Sequence, residues 1–428
     1  MAMSTTVAVA VDPTFYVLRG LAPFSQLLST PEGRAALDAN HRITYEVQSG
    51  AAGQPLLVPF QEQQQQALRD AFITSDNAAQ LSDGLGSGLG AAYRATLDYK
   101  SSDGGRTWNP TGSLPAVQAL LSAASGESSA DSNAGKYFFA NGGVASGASC
   151  QGVAIDGAEA IWTLPGAQSD IFGKAYGLRA SVPGADPCGD SRPFQTDYRL
   201  QMFQGDDFWG QPSGNALYLE GPVQDLRSSP AFPSGHTTYG FTEGVLLGIF
   251  YPERYAQMVT RAAEYGNDRI IIGAHYAMDV LGGRTVALYV LAHLLERDDG
   301  FVATKRARVE LAAALSRGCQ AAGAECSADS GRFASSAKNE AFYEATQTYG
   351  LPVVYADYAR HPEDVYVHAR EAGNLLMAAF PKVASLEQAD RILTETEGPG
   401  GGFLDNGSDF GVYSRIDLYR AVAAASRL

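Results

Sequence analysis

The sequence predicts an all-α fold, and three observations support that prediction. Segments with apolar residues at helical spacing recur along most of the 428 residues. Runs in which apolar and polar side chains alternate, as they do in half-buried strands, are scarce. Strands and helices also do not alternate in a repeated order, so a parallel sheet covered by helices is not indicated.

The first predicted unit, residues 1–135, mixes short helical patterns with glycine- and serine-rich breaks. The segments "PEGRAALDAN" and "EQQQQALRDAFI" predict helices, whereas "SDGLGSGLGAA" and "SSDGGRTWNPTG" predict loops. Residues 122–136, "SAASGESSADSNAGK", are small and polar, which predicts a linker and a boundary after residue 135. The first sixteen residues lack the basic and apolar regions of a signal peptide, so we expect no intact signal peptide in this chain.

The second predicted unit, residues 136–300, is denser in apolar residues, and the third, residues 301–428, is rich in alanine and glutamate. "TTYGFTEGVLLGIF" predicts a helix, and Pro252 opens another that ends near Gly266. Residues 267–299 predict one long helical region with a kink at a Gly-Gly pair. The third unit contains several helical patterns and a long turn, "EGPGGGFLDNGSDFG", before a final helix.

The composition limits the classes of partner. With 45% hydrophobic and 18% charged residues, the chain has the composition of a soluble globular protein. The net charge of −15 argues against an extended surface for nucleic acid or anionic membrane. The apolar run at 286–295 is too short to span a bilayer, so we expect no integral membrane segment.

Four cysteines, Cys150, Cys188, Cys319 and Cys326, permit two disulfides. Cys319 and Cys326 are close enough in sequence to close a small loop, which would leave Cys150 to pair with Cys188. Four free thiols in a cytosolic protein remain the alternative. The chain has no Cys-x-x-Cys, so a structural zinc site is not expected.

Two arginines and a tight turn predict a site for a tetrahedral oxyanion. Arg192 lies in "SRPF" and Arg269 in "NDRIIIGAHYAMD", and a guanidinium can grip such an anion with two hydrogen bonds. In "FPSGH", Ser234 offers a hydroxyl and Gly235 a backbone amide at a bend. These groups would supply the positive field that an anionic substrate needs on an acidic protein.

Two histidines and an aspartate add the reactive groups. His275 and Asp279 lie at helical spacing, one turn apart, so the carboxylate can orient the imidazole. His236 follows the Pro-Ser-Gly bend and is a candidate general acid. A histidine nucleophile backed by aspartate, a second histidine and a cationic cradle form a complete phosphoryl-transfer site without a metal ion.

These segments resemble the type 2 phosphatidic-acid phosphatase superfamily, which includes the bacterial class A non-specific acid phosphatases and the vanadium haloperoxidases. Its signature is Lys, six residues, Arg-Pro; then Pro-Ser-Gly-His; then Ser-Arg, five residues, His, three residues, Asp. The second and third blocks match here, except that Asp268 replaces the serine. The intervening segments, 194–232 and 237–267, also have fitting lengths. The resemblance covers about 170–300 and implies a helical-bundle core with extra N- and C-terminal segments.

The first block departs from the signature, because Ala185 stands seven positions before Arg192. Lys174, in "GKAYGLR", is the favoured candidate, and it implies that about eleven residues, including Cys188, are inserted before Arg-Pro. Arg179 is the alternative cation.

The resemblance also implies the role of each residue. His275 would attack phosphorus and become phosphohistidine, with Asp279 on its other ring nitrogen. His236 would protonate the leaving alkoxide and then activate water. The phosphoryl oxygens would be held by a set of five groups: Lys174, Arg192, Arg269, Ser234 and the amide of Gly235.

The same cradle binds vanadate in some members of the superfamily, so two activities compete. A metal-independent phosphomonoesterase needs no cofactor and would be inhibited by vanadate, whereas a vanadium haloperoxidase would use vanadate as its cofactor. The continuation "GHTTYGFTEG" resembles that of the acid phosphatases and favours the phosphatase. We therefore expect a small phosphorylated substrate and, by resemblance and from the cysteines, a periplasmic or secreted protein. The terminal segments could shape the pocket or form a homodimer.

Overall fold

A computed structural model describes residues 27–71, 73–74, 78–101, 107–141, 192–196, 199–200, 230–322, 326 and 331–428. Helices dominate these residues, which confirms the all-α prediction.

The α-helices are α1 (Pro31–Ser49), α2 (Phe60–Asp70), α3 (Ala78–Leu81), α4 (Ser87–Leu97), α5 (Pro115–Asn141), α6 (Pro193–Thr196), α7 (Gly235–Phe250), α8 (Tyr255–Ile271), α9 (Ala277–Glu296), α10 (Gly300–Ala322), α11 (Ser336–Thr348), α12 (Val365–His368), α13 (Asn374–Met377), α14 (Leu386–Thr396), α15 (Asp409–Tyr413) and α16 (Leu418–Ala425). Short 3-10 helices cover Ser82–Leu85, Pro252–Arg254 and Arg370–Gly373.

A small sheet lies in the N-terminal part. Its strands are β1 (Ile73–Thr74), β2 (Tyr99–Ser101) and β3 (Thr107–Pro110), in the order β1-β3-β2. Strand β3 pairs in parallel with β1 and antiparallel with β2. The predicted loop at 101–112 therefore contains paired strands.

Helices α7, α8 and α9 form the centre of the molecule, and α7 packs closely on α8. A Cβ atom at Gly240 would lie 2.4 Å from the ring of Tyr265, and one at Gly248 would lie 2.4 Å from the ring of Tyr255. Glycine at these two positions lets aromatic rings of α8 lie directly against the backbone of α7.

Helix α9 is long and strongly apolar. Among the described residues it alone is long and apolar enough to cross a membrane, and 94% of its apolar stretch is buried inside the protein. Its hydrophobicity is therefore accounted for by its place in the core.

The prediction of one long helix at 267–299 is wrong. Helix α8 ends at Ile271, Gly273 takes a left-handed conformation with φ +80°, and α9 begins at Ala277. At the start of the new helix, the side chain of Asp279 accepts the backbone N–H of Tyr276 at 2.8 Å. The break follows from Gly273, because a side chain there would strain the backbone that reverses the chain.

Helix α9 runs without interruption through Gly282-Gly283, the pair at which the sequence predicts a kink. A Cβ atom at Gly282 would lie 2.4 Å from the ring of Phe232, and one at Gly283 would lie 2.4 Å from the carbonyl oxygen of Ser234. The two glycines instead allow the 232–234 segment to pack against the helix.

The predicted linker at 122–136 is wrong as well, because these residues lie within α5. Ser128 Oγ lies 2.8 Å from Thr242 Oγ1, and Ser125 Oγ donates to Glu243 Oε1 at 2.9 Å. The small polar side chains let α5 pack closely on α7 and bond to it, a use that composition alone does not distinguish from a linker. The predicted boundary after residue 135 falls inside this helix.

The predicted loop at 82–92 is largely helical too, in the 3-10 turn Ser82–Leu85 and in α4. A Cβ atom at Gly90 would lie 2.4 Å from the carbonyl oxygen of Ser82, so glycine permits the close approach of these two elements.

The C-terminal segment packs directly on the central helices. Tyr255 Oη donates to the carbonyl oxygen of Leu375 at 3.1 Å, and one hydrophobic cluster runs from Leu27 to Ala425. The predicted disulfide between Cys319 and Cys326 is confirmed. Cys150 and Cys188 lie outside the described residues.

Candidate active site

Helix ends bring the predicted residues together. Ser234, Gly235 and His236 lie at the N-terminus of α7, Arg269 lies in the last turn of α8, and three further residues complete the group: Arg192, His275 and Asp279. The backbone amide of Ser234 donates to the carbonyl oxygen of Asp279 at 2.9 Å, which ties the start of α7 to α9. Lys174 and Arg179 lie outside the described residues, so their roles stay predictions.

The contacts of His275 define which ring nitrogen can react. Arg192 Nη1 lies 2.8 Å from His275 Nε2, and His275 Nδ1 lies 3.3 Å from Asp279 Oδ2. A guanidinium can only donate, so Nε2 must present its lone pair, and Nδ1 carries the hydrogen that it donates to Asp279. The ring is thus held in the tautomer whose Nε2 can act as a nucleophile.

Asp279 is held by two hydrogen bonds and is fully buried. Its Oδ2 accepts the backbone N–H of Tyr276 at 2.8 Å as well as the Nδ1–H of His275. Burial raises the pKa of Asp279 to about 7, although the Tyr276 amide, Arg192 and Lys136 lower it. The paired bonds fix the carboxylate, and the carboxylate in turn fixes the imidazole ring.

Both histidines have pKa values well below the ordinary value of 6.5. Desolvation is the main cause for each. Three cations, Arg192, Arg269 and Lys136, also lower the pKa of both rings. His275 is therefore neutral near pH 7, as a nucleophile must be, and His236 takes up a proton only in acid.

The Pro-Ser-Gly turn leaves donors free for a ligand. Ser234 Oγ accepts from the backbone N–H and the hydroxyl of Thr237, at 3.2 and 2.9 Å, so its own hydrogen is left to donate. The amide of Gly235 belongs to the first turn of α7, where N–H groups have no partner within the helix. The N-terminus of α7 also carries a positive partial charge that attracts anions.

Arg269 is fully buried, and within the described part of the chain its side chain forms no ion pair. None of its three side-chain nitrogens has a hydrogen-bond partner among the described residues. Its carbonyl oxygen accepts the backbone N–H groups of Ala274 and His275, at 3.1 and 3.3 Å. A buried guanidinium with no partner is costly, so this position indicates that an anionic ligand completes the site.

Lys136 and Ser132 are two site residues that the sequence interpretation missed. They lie one turn apart on α5, and a Cβ atom at Gly235 would lie 3.5 Å from Lys136 Nζ and 3.6 Å from Ser132 Oγ. The Ser132 hydroxyl is buried and has no partner among the described residues. Lys136 thus brings a cation to this site from a separate helix.

A signal for these two residues does exist in the sequence. Ser125, Ser129, Ser132 and Lys136 recur every three or four positions, which predicts one polar face of a helix. The same stretch is also small and polar, which is why the sequence predicts a linker there. Lys174 is favoured because "GKAYGLR" resembles the first block of the acid phosphatases.

Asp268, which replaces the serine of the signature, faces away from the cradle. Its Oδ1 accepts from Gln63 Nε2 at 2.9 Å. Burial and the neighbouring carboxylates of Asp70 and Glu264 hold the pKa of Asp268 well above its ordinary value. The departure from the signature therefore belongs to a buried polar cluster behind Arg269.

Comparisons with known proteins agree with this site. Residues 188–298 match the model of the PAP2 superfamily. The chain is 41% identical over 69 residues to a protein of Salmonella typhimurium named non-specific acid phosphatase, a match that covers 16% of this chain and 28% of the relative. It is 34% identical over 71 residues to an acid phosphatase of Zymomonas mobilis, covering 17% of this chain and 27% of the relative.

A third relative, a non-specific acid phosphatase of Providencia stuartii, is 35% identical over 69 residues, with 16% of this chain and 28% of the relative covered. Each match thus covers under a third of the length of the relative. Within that span, the resemblance that the motifs predicted is confirmed: the central part of the chain is similar both to the PAP2 superfamily and to bacterial acid phosphatases.

Proposed function

We propose that the protein hydrolyses phosphomonoesters through a phosphohistidine intermediate on His275, without a metal ion. The proposal rests on the group of three cations, Arg192, Arg269 and Lys136, around two histidines. The Arg269 guanidinium is buried and has no hydrogen-bond partner among the residues that the structure describes. This arrangement suits a phosphoryl dianion, and the similarity to acid phosphatases supports the same substrate class.

In the first step, the lone pair of His275 Nε2 attacks phosphorus while the bond to the ester oxygen breaks. The leaving alkoxide takes a proton from His236. The Nδ1–H of His275 stays bonded to Oδ2 of Asp279, which stabilises the positive charge that develops on the ring. In the second step, His236 takes a proton from water, the resulting hydroxide attacks phosphorus, and the P–N bond breaks to release inorganic phosphate.

Substrate binding has to rearrange Arg192. In the structure its guanidinium contacts the nitrogen that would attack, at 2.8 Å. A bound phosphoryl group would take that place, and Arg192 would donate to a phosphoryl oxygen instead. Arg269, Lys136, Ser132, Ser234 and the Gly235 amide would bind the remaining oxygens.

We further propose that the protein acts outside the cytoplasm on a small phosphate ester. The disulfide between Cys319 and Cys326 suits an oxidising compartment. The low pKa of His236 places the proton that the leaving group needs in the acidic range, which suits an acid phosphatase.

Hydrolysis of p-nitrophenyl phosphate between pH 5 and 7 tests the function. We expect turnover that resists a chelator, is blocked by orthovanadate and disappears in His275→Ala. A parallel assay supplies bromide and peroxide to vanadate-loaded protein. Halogenation without ester hydrolysis would replace the proposal with the haloperoxidase function, and hydrolysis that a chelator abolishes would contradict the metal-free mechanism.

A further inference from the structure

A second cavity lies on the other side of α9 from the candidate active site. Its volume is about 270 Å³, near the lower end of the range for ligand pockets. Leu281, Arg284 and Thr285 line it from one face of α9, whereas Gly283 contacts the Ser234 segment. Residues of the C-terminal segment form the opposite wall.

The wall is mainly apolar and reaches the surface at one edge. Leu351, Phe403 and Leu404 line the cavity from the C-terminal segment. Val353 also lines it and is 46% exposed, so solvent reaches the cavity beside this residue.

Arg284 provides the cation of this cavity and is only 4% exposed. Its Nη2 donates to Tyr343 Oη and Gln347 Oε1, and its guanidinium lies 4.2 Å from the ring centre of Tyr343 and 5.3 Å from that of Phe241. Its Nη1 has no hydrogen-bond partner among the described residues. Hydrogen bonds thus hold Nη2, while the buried Nη1 is the donor group that lacks a partner in this part of the chain.

The charge of Arg284 is incompletely balanced. In the part of the chain that the structure describes, no carboxylate lies within ion-pair distance of it. Arg284 lies close enough to Asp417 to lower the pKa of Asp417, but burial raises that pKa by more. Asp417 is already engaged, because its Oδ1 accepts the backbone N–H of Arg420 at 2.9 Å. An anionic group at Nη1 would complete the arrangement.

We propose that this cavity binds a small apolar carboxylate, with the carboxylate on Arg284 and the hydrocarbon body against the leucines and Phe403. The single cation and the apolar wall favour one negative charge over a phosphate dianion. The size suits a short alkyl or aryl acid. This site is separate from the candidate active site, and its ligand is not the phosphate ester.

Calorimetry on the full chain in saturating orthophosphate tests the proposal, because orthophosphate keeps the ligand out of the catalytic cradle. Hexanoate, hexan-1-ol and hexylamine share one hydrocarbon body and differ in charge. We expect hexanoate to bind at least tenfold more tightly than the other two. Equal affinities, or no binding of hexanoate at millimolar concentration, would each overturn the proposal.

A variant that fills the cavity locates the binding. Gly402 lines the cavity, and no atom lies within 4 Å of a Cβ placed there, so Gly402→Leu should fold and occupy the space. Gly126, exposed on α5 and equally unhindered, gives the matched control Gly126→Leu. We expect Gly402→Leu to lower the affinity for hexanoate at least tenfold and Gly126→Leu to change that affinity less than twofold. Unchanged affinity in Gly402→Leu would contradict the assignment. A substitution of Arg284 would not decide the question, because it would also remove the hydrogen bonds to Tyr343 and Gln347.

Discussion

His275 and His236 are both desolvated and lie near the same cations, yet the proposed mechanism gives them different roles. His275 is oriented by Asp279 and has a lone pair at Nε2, which suits a nucleophile. His236 is only partly buried and lies at the first turn of α7, where a leaving group can reach it. Their separate roles follow from these surroundings, since both rings have a lowered pKa.

Replacing His236 should affect substrates according to their leaving groups. An alkoxide needs a proton as it departs, whereas p-nitrophenolate is a stable anion. For His236→Asn we expect kcat on an alkyl phosphate to fall on the order of 10²–10⁴-fold. The rate constant of the first step on p-nitrophenyl phosphate should fall far less. Burst kinetics separate that step from hydrolysis of the phosphoenzyme. An equal loss of the first-step rate on both substrates would exclude His236 as the general acid.

Removing the charge of Lys136 should lower turnover and shift the pH profile. Lys136→Met should reduce kcat/KM on the order of 10²-fold, as the loss of an oxyanion donor does. Because Lys136 lowers the pKa of both histidines, its loss should also move the pH profile of kcat/KM upward. Lys338→Met, at an exposed position of α11, is the control and should remain within twofold. A reduced rate with an unshifted profile would indicate that Lys136 acts only through packing.

Close helix contacts at glycines hold the site together at the level of elements. The Pro-Ser-Gly turn packs on α9 at Gly283, where a Cβ atom would lie 2.4 Å from the Ser234 carbonyl oxygen. Helix α5 reaches the same turn through small serines. These contacts bring donor groups from three helices close together, where the proposed function needs them.

Gly283→Ala should therefore harm both stability and activity. The added methyl group cannot fit without moving the Ser234 segment, so we expect a loss of about 1–3 kcal/mol in the free energy of unfolding, together with a lower kcat. Gly126→Ala adds the same group at an unhindered helix position and should be neutral or stabilising by up to about 1 kcal/mol. Urea denaturation measures both, and a fully stable, fully active Gly283→Ala would refute the close contact.

The sequence predicted the short-range parts of the site and missed the long-range ones. Ser234 to His236 and Arg269 to Asp279 are each fixed by a turn or a helix break, so their spacing carries their geometry. Lys136 reaches the site from a helix more than fifty residues before Arg192, and no local pattern states which helices pack together. The same limit explains the linker error, because small polar residues suit both a linker and a close helix interface.

Buried carboxyl groups shape the stability of the whole molecule. Burial is the main cause that raises the pKa of Asp390 to about 7 and that of Glu397 to about 7. Their unfolded values are near 4, so each group stabilises the fold at low pH and loses that contribution as pH rises through about 7. The two histidines of the site act in the opposite sense, because their pKa values are lowered in the folded protein. Below about pH 6.5 the unfolded chain takes up protons that the folded protein does not, so the free energy of unfolding falls.

Asp390 offers a test of this balance, because it is 1% exposed and neither carboxyl oxygen has a hydrogen-bond partner among the described residues. We expect Asp390→Asn to raise the melting temperature at pH 8 and to change it little at pH 5. Asp357→Asn, at an exposed position, should change it at neither pH. A destabilising effect of Asp390→Asn that is equal at both pH values would show that the Asp390 carboxyl does not titrate in this range.

Trapping the phosphoenzyme tests the central claim most directly. The protein is mixed with p-nitrophenyl phosphate, quenched in alkali, where a phosphorus–nitrogen bond to histidine survives, and mapped by peptide mass spectrometry. We expect phosphate on His275 and on no other residue, with no phosphorylation and no turnover in His275→Ala. Phosphate on another side chain, or turnover that persists in His275→Ala, would contradict it.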